Sequence, residues 1–121
     1  MFPTAFSVSV APDDTPFDLD LKGGDASFRT IAGDAALDAL TMHHKSDAYD
    51  PAPLAADRNV AFPLDRLRAL AAAGAIGDVA PRHLSFMGSI TRPERLVEES
   101  APAAATLLAG DGVNIALLVP V

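Results

Sequence analysis

The sequence predicts one α/β domain over residues 1–121. The fold expected is a Rossmann-like or flavodoxin-like layered sandwich with a mostly parallel sheet, incomplete at its C-terminal side. Three observations predict it. The patterns alternate along the chain as strand, helix, strand, helix, strand. The stretch 113–121 is apolar at nearly every position, as a central strand buried on both faces would be. With 121 residues, 50% hydrophobic and 21% charged, the chain can bury one core and is too apolar for disorder.

The elements follow in order. Phe6, Val8 and Val10 alternate with Ala5, Ser7 and Ser9, the period of a half-buried strand. Residues 11–24, rich in Asp, Pro and Gly, read as a long loop. Ser27–Ile31 reads as a short strand ending at the turn Ala32-Gly33-Asp34. Residues 35–43 fit neither period, because Leu37, Leu40 and Met42 match neither spacing. Residues 46–57, with Pro51 and Pro53, read as loop. The clearest helix is 64–73. Pro63 suits its first turn, Leu64, Leu67, Arg68 and Leu70 with Ala71 give the stripe, and Gly74 suits a left-handed cap. A strand at 83–87 puts Leu84 and Phe86 on one face and stops at Gly88. A second helical region spans 93–109, where Pro102 must kink or divide it and Ser100 could cap the second piece. Gly110-Asp111-Gly112 ends it.

Composition excludes several functions. There is no cysteine, so these residues hold no disulfide, thiolate metal site or catalytic thiol. A net charge of −7 argues against a general nucleic-acid partner. No apolar run is long enough to span a membrane, and no signal peptide is evident, so the expected location is cytoplasmic. The charge is uneven: residues 1–57 carry ten acids and three bases, whereas residues 58–121 carry six of each. Asp13, Asp14, Asp18 and Asp20 read as a solvated acidic loop, since their spacing lacks the glycine and closing glutamate of a calcium loop.

Five segments in order carry a resemblance: Gly24–Ile31, Asp57–Leu67, Gly74–Gly77, Ser85-Phe86-Met87-Gly88 and Leu117-Leu118-Val119-Pro120-Val121. Together they resemble the N-terminal part of the selenoprotein B family of glycine, sarcosine, betaine and D-proline reductases. The similarity runs from about residue 23 to 121 and is nearest the selenocysteine-bearing subunit type of D-proline reductase. The resemblance implies reductive cleavage of a C–N bond in an amino acid or N-substituted amino acid. A selenocysteine or cysteine is expected just after Val121, at a strand-to-helix turn where the helix dipole favours the anion. A pyruvoyl group on a partner subunit would activate the substrate, and a dithiol donor would supply electrons. These two partners are implied, with room for a homo-oligomer and with no nucleic-acid or membrane partner.

The chain departs from the family pattern in lacking the usual longer lead-in and the redox motif. No catalytic residue is therefore expected within residues 1–121, and the chain alone should be inactive. A UGA codon after Val121, read as stop, would explain the missing motif.

Four residues are candidates for substrate binding. His44 matches a family histidine, in a pocket or as a general acid, because imidazole titrates near neutrality. Arg29 could hold a carboxylate with its planar fork, or pair with one of the many Asp residues. Ser85 and the Gly88 backbone end a strand, where α/β folds place ligand crevices. Asp57 and Asn59 read as turn and cap formers before Phe62-Pro63, Asp65 as compensation of the helix dipole, and Pro120 as structural. The His43-His44 pair lacks further ligands, so no metal is expected. The alternative function is a non-catalytic α/β binding or subunit-interaction module.

Overall fold

The computed structural model describes residues 6–9, 15–44 and 50–119. The chain runs β1 (Phe6–Ser9), β2 (Phe28–Ala32), β3 (Thr41–His44), α1 (Ala52–Ala56), α2 (Leu64–Ala72), β4 (Arg82–Phe86) and α3 (Ala101–Gly110). Short 3₁₀ turns lie at Leu37–Ala39 and Arg58–Val60. The expected strands near 6, 28 and 83 and the helix at 64 are present. Residues 15–24 form loop, and 11–14 lie outside the described residues.

The sheet topology departs from the parallel sandwich. Among the described residues, β1 pairs with β3 and β2 with β4, in two separate two-stranded sheets. Both pairs are antiparallel, with Phe6 opposite His44 and Arg29 opposite Ser85. The parallel expectation leaned on residues 113–121 as a central strand. Residues 113–119 instead join no sheet, with Ile115 and Leu118 each 87% exposed and Leu117 62% exposed. Apolar composition alone cannot make a strand: its backbone groups need a partner edge, and none lies alongside among the described residues.

The region 35–43 is ambiguous for a physical reason. Leu37 and Leu40 stand three apart across a 3₁₀ turn and are both buried, and the chain then extends into β3. Two periods meet within nine residues. The expected loop at 46–57 contains α1, a correction that follows from its prolines. Pro51 and Pro53 sit at the helix start, where a missing N–H breaks nothing, and Asp50 Oδ1 accepts the Ala52 N–H at 2.9 Å. α1 buries Leu54 completely.

α2 ends as expected. Gly74 takes φ +71°, its N–H reaches the Ala71 carbonyl at 2.9 Å, and the Ala75 N–H reaches the Leu70 carbonyl at 2.9 Å. Its apolar stripe is buried mainly at the first turn: Leu64 is fully buried, while Leu70 is 44% exposed. Pro102 does not break the second helical region. The turn before it widens into a π-helix over Leu96–Ser100, with the Ala101 N–H reaching back to the Leu96 carbonyl. Widening here accommodates a ring that would clash with the preceding turn and supplies no donor. Ser100 keeps helical dihedrals and makes no side-chain cap, contrary to expectation.

Ile31, Leu37, Leu40, Leu54, Ala61 and Leu64 form the core, flanked by Ala35, Met42, Phe62 and Val79. Two arginines bind elements to one another. Arg68 of α2 donates to the Gly33 and Ala35 carbonyls at 2.8 and 3.1 Å, fixing the helix to the turn after β2. Arg82, at the start of β4, makes a two-point contact with Asp111, at the end of α3. Gly33 is required by close approach. Its N–H meets the Pro81 carbonyl at 2.8 Å, and a Cβ there would collide with the Ala80 carbonyl.

Candidate functional site

Three of the four sequence candidates, Arg29, Ser85 and Gly88, lie at or just beyond the β2–β4 pair, and His44 lies in the other sheet. Arg29, in β2, is committed inside the fold. Its Nε donates to the Thr15 carbonyl at 2.6 Å, one Nη to Ser27 Oγ at 2.8 Å, and the other Nη to the Pro16 carbonyl at 3.1 Å. Its guanidinium lies 4.2 Å above the Phe17 ring and 3.6 Å from Asp25. The planar fork read from the sequence is present, but its acceptors are protein groups, so Arg29 is not offered to a substrate carboxylate. Ser85 stands opposite Arg29 on β4, and Gly88 follows that strand beside buried Met87. His44 closes β3 in the other sheet, and Pro120 lies outside the described residues.

The residues read as turn formers lie at an open depression of about 270 Å³, between the turn at Leu37–Ala39 and the segment from α1 to α2. Leu37, Asp38, Asp57, Arg58, Asn59 and Asp65 line it. Local hydrogen bonds build this wall. Asp57 Oδ1 accepts the Asn59 N–H and its side-chain amide, both at 2.9 Å, while Asp57 Oδ2 meets Arg66 at 3.3 Å. Asn59 Oδ1 accepts the Asp65 N–H at 3.1 Å, so a side chain six residues upstream caps α2. Asp65 in turn pairs with Arg68 at 3.0 Å.

Arg58, between these two turn formers, differs from them. Its Nη1 is buried with no hydrogen-bond partner among the described residues. Leaving a buried donor unpaired costs about 1–3 kcal/mol. Sequence reasoning singles out Arg58's neighbours and misses Arg58 itself. The available signal was a cation placed inside a turn that its neighbours hold rigid. His83 Nε2 is likewise buried and unpartnered, with its ring edge-on to Phe62 at a centroid distance of 5.3 Å. Among the described residues, no group of three or more His, Asp or Glu side chains is placed to hold a metal.

Against known proteins, no family model matches, and no solved structure matches. One curated protein does. Over 95 residues the chain is 38% identical to D-proline reductase subunit gamma of Acetoanaerobium sticklandii. This chain is a relative of that subunit. The match covers 78% of the chain and 38% of the relative, so the chain spans well under half of the relative's length. The relative's name makes it one subunit of an enzyme, and it supports the coarser part of the resemblance. Among the described residues, no helix is long and apolar enough to cross a membrane.

Three titrating groups tie the scaffold to pH. Burial, then the nearby Arg68 charge, pushes the His83 imidazole below its ordinary value of 6.5. Burial raises the Asp25 carboxyl, but hydrogen bonds from Ser27 and Asp18 and the Arg29 charge outweigh it, holding Asp25 below 3.8. The Asn59 side chain and N–H hold Asp57 below 3.8 as well. In all three cases the unfolded chain binds more protons than the folded one, so stability rises with pH through each window. The urea midpoint should therefore be flat above neutrality, fall as the pH drops from 6.5 through the folded His83 value, and fall again below 3.8. His83→Gln should remove the first fall and leave the second. A first fall that persists unchanged in this variant would reject the assignment.

Proposed function

We propose that this chain belongs to the D-proline reductase family and forms the N-terminal part of a gamma-type subunit. The observation that carries this reading is the 38% identity over 95 residues. The reaction would be the reductive cleavage of a C–N bond in D-proline or another amino acid of the glycine, sarcosine and betaine class. A dithiol donor gives two electrons and two protons and becomes a disulfide, while the C–N bond is replaced by C–H and N–H. These 121 residues contain no cysteine, so the selenol or thiol would come from sequence outside them. The chain's own contribution would be scaffolding and docking to a pyruvoyl-bearing subunit, and the location would be the cytoplasm. The exposed run at Ile115, Leu117 and Leu118 supports a docking role, since apolar patches of this kind mark interaction surfaces.

The test begins with the nucleotides after the Val121 codon. The expected finding is UGA followed by an open frame containing cysteine. The extended protein, combined with a pyruvoyl-bearing partner subunit, should then oxidise a dithiol in a D-proline-dependent manner. A different stop codon with no continuing frame would overturn the selenoprotein reading. Assembly with the partner but no turnover on any of the four substrates would favour a subunit-interaction module.

A further inference from the structure

We infer that α3 and the apolar segment after it form a two-fold interface between two copies of this chain, with residues 115–119 paired antiparallel about Leu117. This pairing does not depend on the proposed subunit role, and it covers the surface when no other subunit does.

α3 carries no charged side chain, yet of its residues only Ala104 is buried. A helix apolar on all sides normally lies inside a core. Residues 115–119 are exposed at every position and join no ladder among the described residues. Ile115, Leu117, Leu118 and Val119 make up half of the exposed large hydrophobic side chains among the described residues. The segment leaves α3 from a fixed base. Gly112 takes φ +74°, and the Asp111, Gly112 and Val113 amides reach the Leu107, Ala109 and Leu108 carbonyls at 3.0, 3.1 and 3.0 Å. Arg82 of β4 holds Asp111 at two points beside this cap.

Charge and area point to a second copy as the occupant. Within residues 101–119 the only charged side chain is Asp111, and Arg82 already compensates it. Elsewhere a chain of net charge −7 would set acid against acid as its copy approached. On the neutral surface two copies meet without that cost, and each supplies the apolar face that the other needs. The chain exposes 7666 Å², whereas a folded monomer of its mass exposes about 6,200 Å². Half of that difference of roughly 1,500 Å² is what one partner contributes to a stable interface of standard size. Pairing about Leu117 sets Ile115 opposite Val119 and Ala116 opposite Leu118, so every cross-strand pair is apolar. Residues 113–119 hold no charge, glycine or proline to interrupt a ladder. The two-fold axis then gives the backbone groups along one edge of each segment their partners in the other copy.

The experiment is sedimentation equilibrium of the 121-residue chain. The chain should be a dimer with a dissociation constant on the order of 1 μM. Its urea midpoint should rise with protein concentration. Leu117→Lys sets two like charges face to face on the two-fold axis and should weaken association at least about 100-fold. Leu117 is exposed in the single chain, so this variant should stay folded, with a urea midpoint that no longer depends on concentration. Val60→Lys, at another exposed apolar position, should leave the dimer intact. The chain has no cysteine, so single cysteines report the register. Leu117→Cys meets its own copy, whereas cysteines in Ile115→Cys would stand about 14 Å apart, beyond disulfide reach. With diamide, Leu117→Cys should form the linked dimer at least about tenfold faster than Ile115→Cys or Val60→Cys. The inference is overturned if the chain is monomeric at about 100 times the expected constant. It is also overturned if Leu117→Lys stays dimeric, if Val60→Lys dissociates as well, if association runs on to larger open species, or if the three cysteines cross-link alike. None of these outcomes bears on the codon after Val121 or on dithiol turnover, so the proposed subunit role is decided separately.

Discussion

Leu64→Ala should lower the unfolding free energy by about 3 kcal/mol, within a range of about 2–5, measured by urea denaturation with an unchanged slope. Leu64 is the first residue of α2, has no exposed surface, and packs into the cluster that holds Ile31, Leu37, Leu40 and Leu54. Truncation removes transfer energy and opens a cavity that neighbours from three different segments cannot close together. Total stability for a domain of this size is about 5–15 kcal/mol, so the loss is a large fraction of it. Leu70→Ala on the same helix is the control. Leu70 is 44% exposed, and leucine and alanine have similar helix propensity, so the change should stay within about 0.5–1 kcal/mol. Equal losses at the two positions would mean that α2 does not bury its N-terminal turn. The consequence reaches the depression too. Ala61 and Leu64 anchor the turn that presents Arg58, so Leu64→Ala should also broaden the amide signals of residues 57–59.

How much of this was legible in the sequence depends on the range of the deciding interaction. β2, β4 and α2 could be read because their causes are local: alternation, a proline at the helix start and a glycine after its end. α1 was hidden because Pro51 and Pro53 signal both loop and helix N-terminus, and five residues hold too little periodicity to choose between them. Strand pairing was not legible. Residues 113–119 have a central strand's composition, yet a strand exists only beside a partner edge, which is a long-range fact. The site divides in the same way. The sequence offers Arg29 as a fork for a substrate carboxylate or an Asp partner, and in the fold it meets the main-chain oxygens of residues 15 and 16 and lies beside Asp25. That the Arg58 Nη1 is buried without a partner could be seen only in the folded structure. In sequence Arg58 is one of six bases after residue 57, distinguished by nothing except the Asp and Asn on either side.

Arg29→Met should cost about 2–4 kcal/mol, and Arg29→Lys should recover less than half of that loss. The side chains of Arg29 and Asp25 are only 11% and 12% exposed, so their charges are largely withdrawn from water. Removing one partner leaves the other charge inside without its counterion, the costliest way to break such a pair. The substitution also frees the Thr15 and Pro16 carbonyls and takes the guanidinium from the Phe17 face. Lysine restores the charge but neither the fork nor the flat stacking surface, so it cannot span two carbonyls and an aromatic ring together. Arg29→Met combined with Asp25→Asn should lose less than the sum of the single changes, because the second removes the charge stranded by the first. Hydrogen exchange gives the local signature. The Asp18 and Ser27 amides, which donate to Asp25 at 3.0 and 2.9 Å, should lose protection in Arg29→Met before the amides of α2 do. If both substitutions leave stability and exchange unchanged, Arg29 is not the clamp on residues 15–17, and its guanidinium is available to a ligand after all.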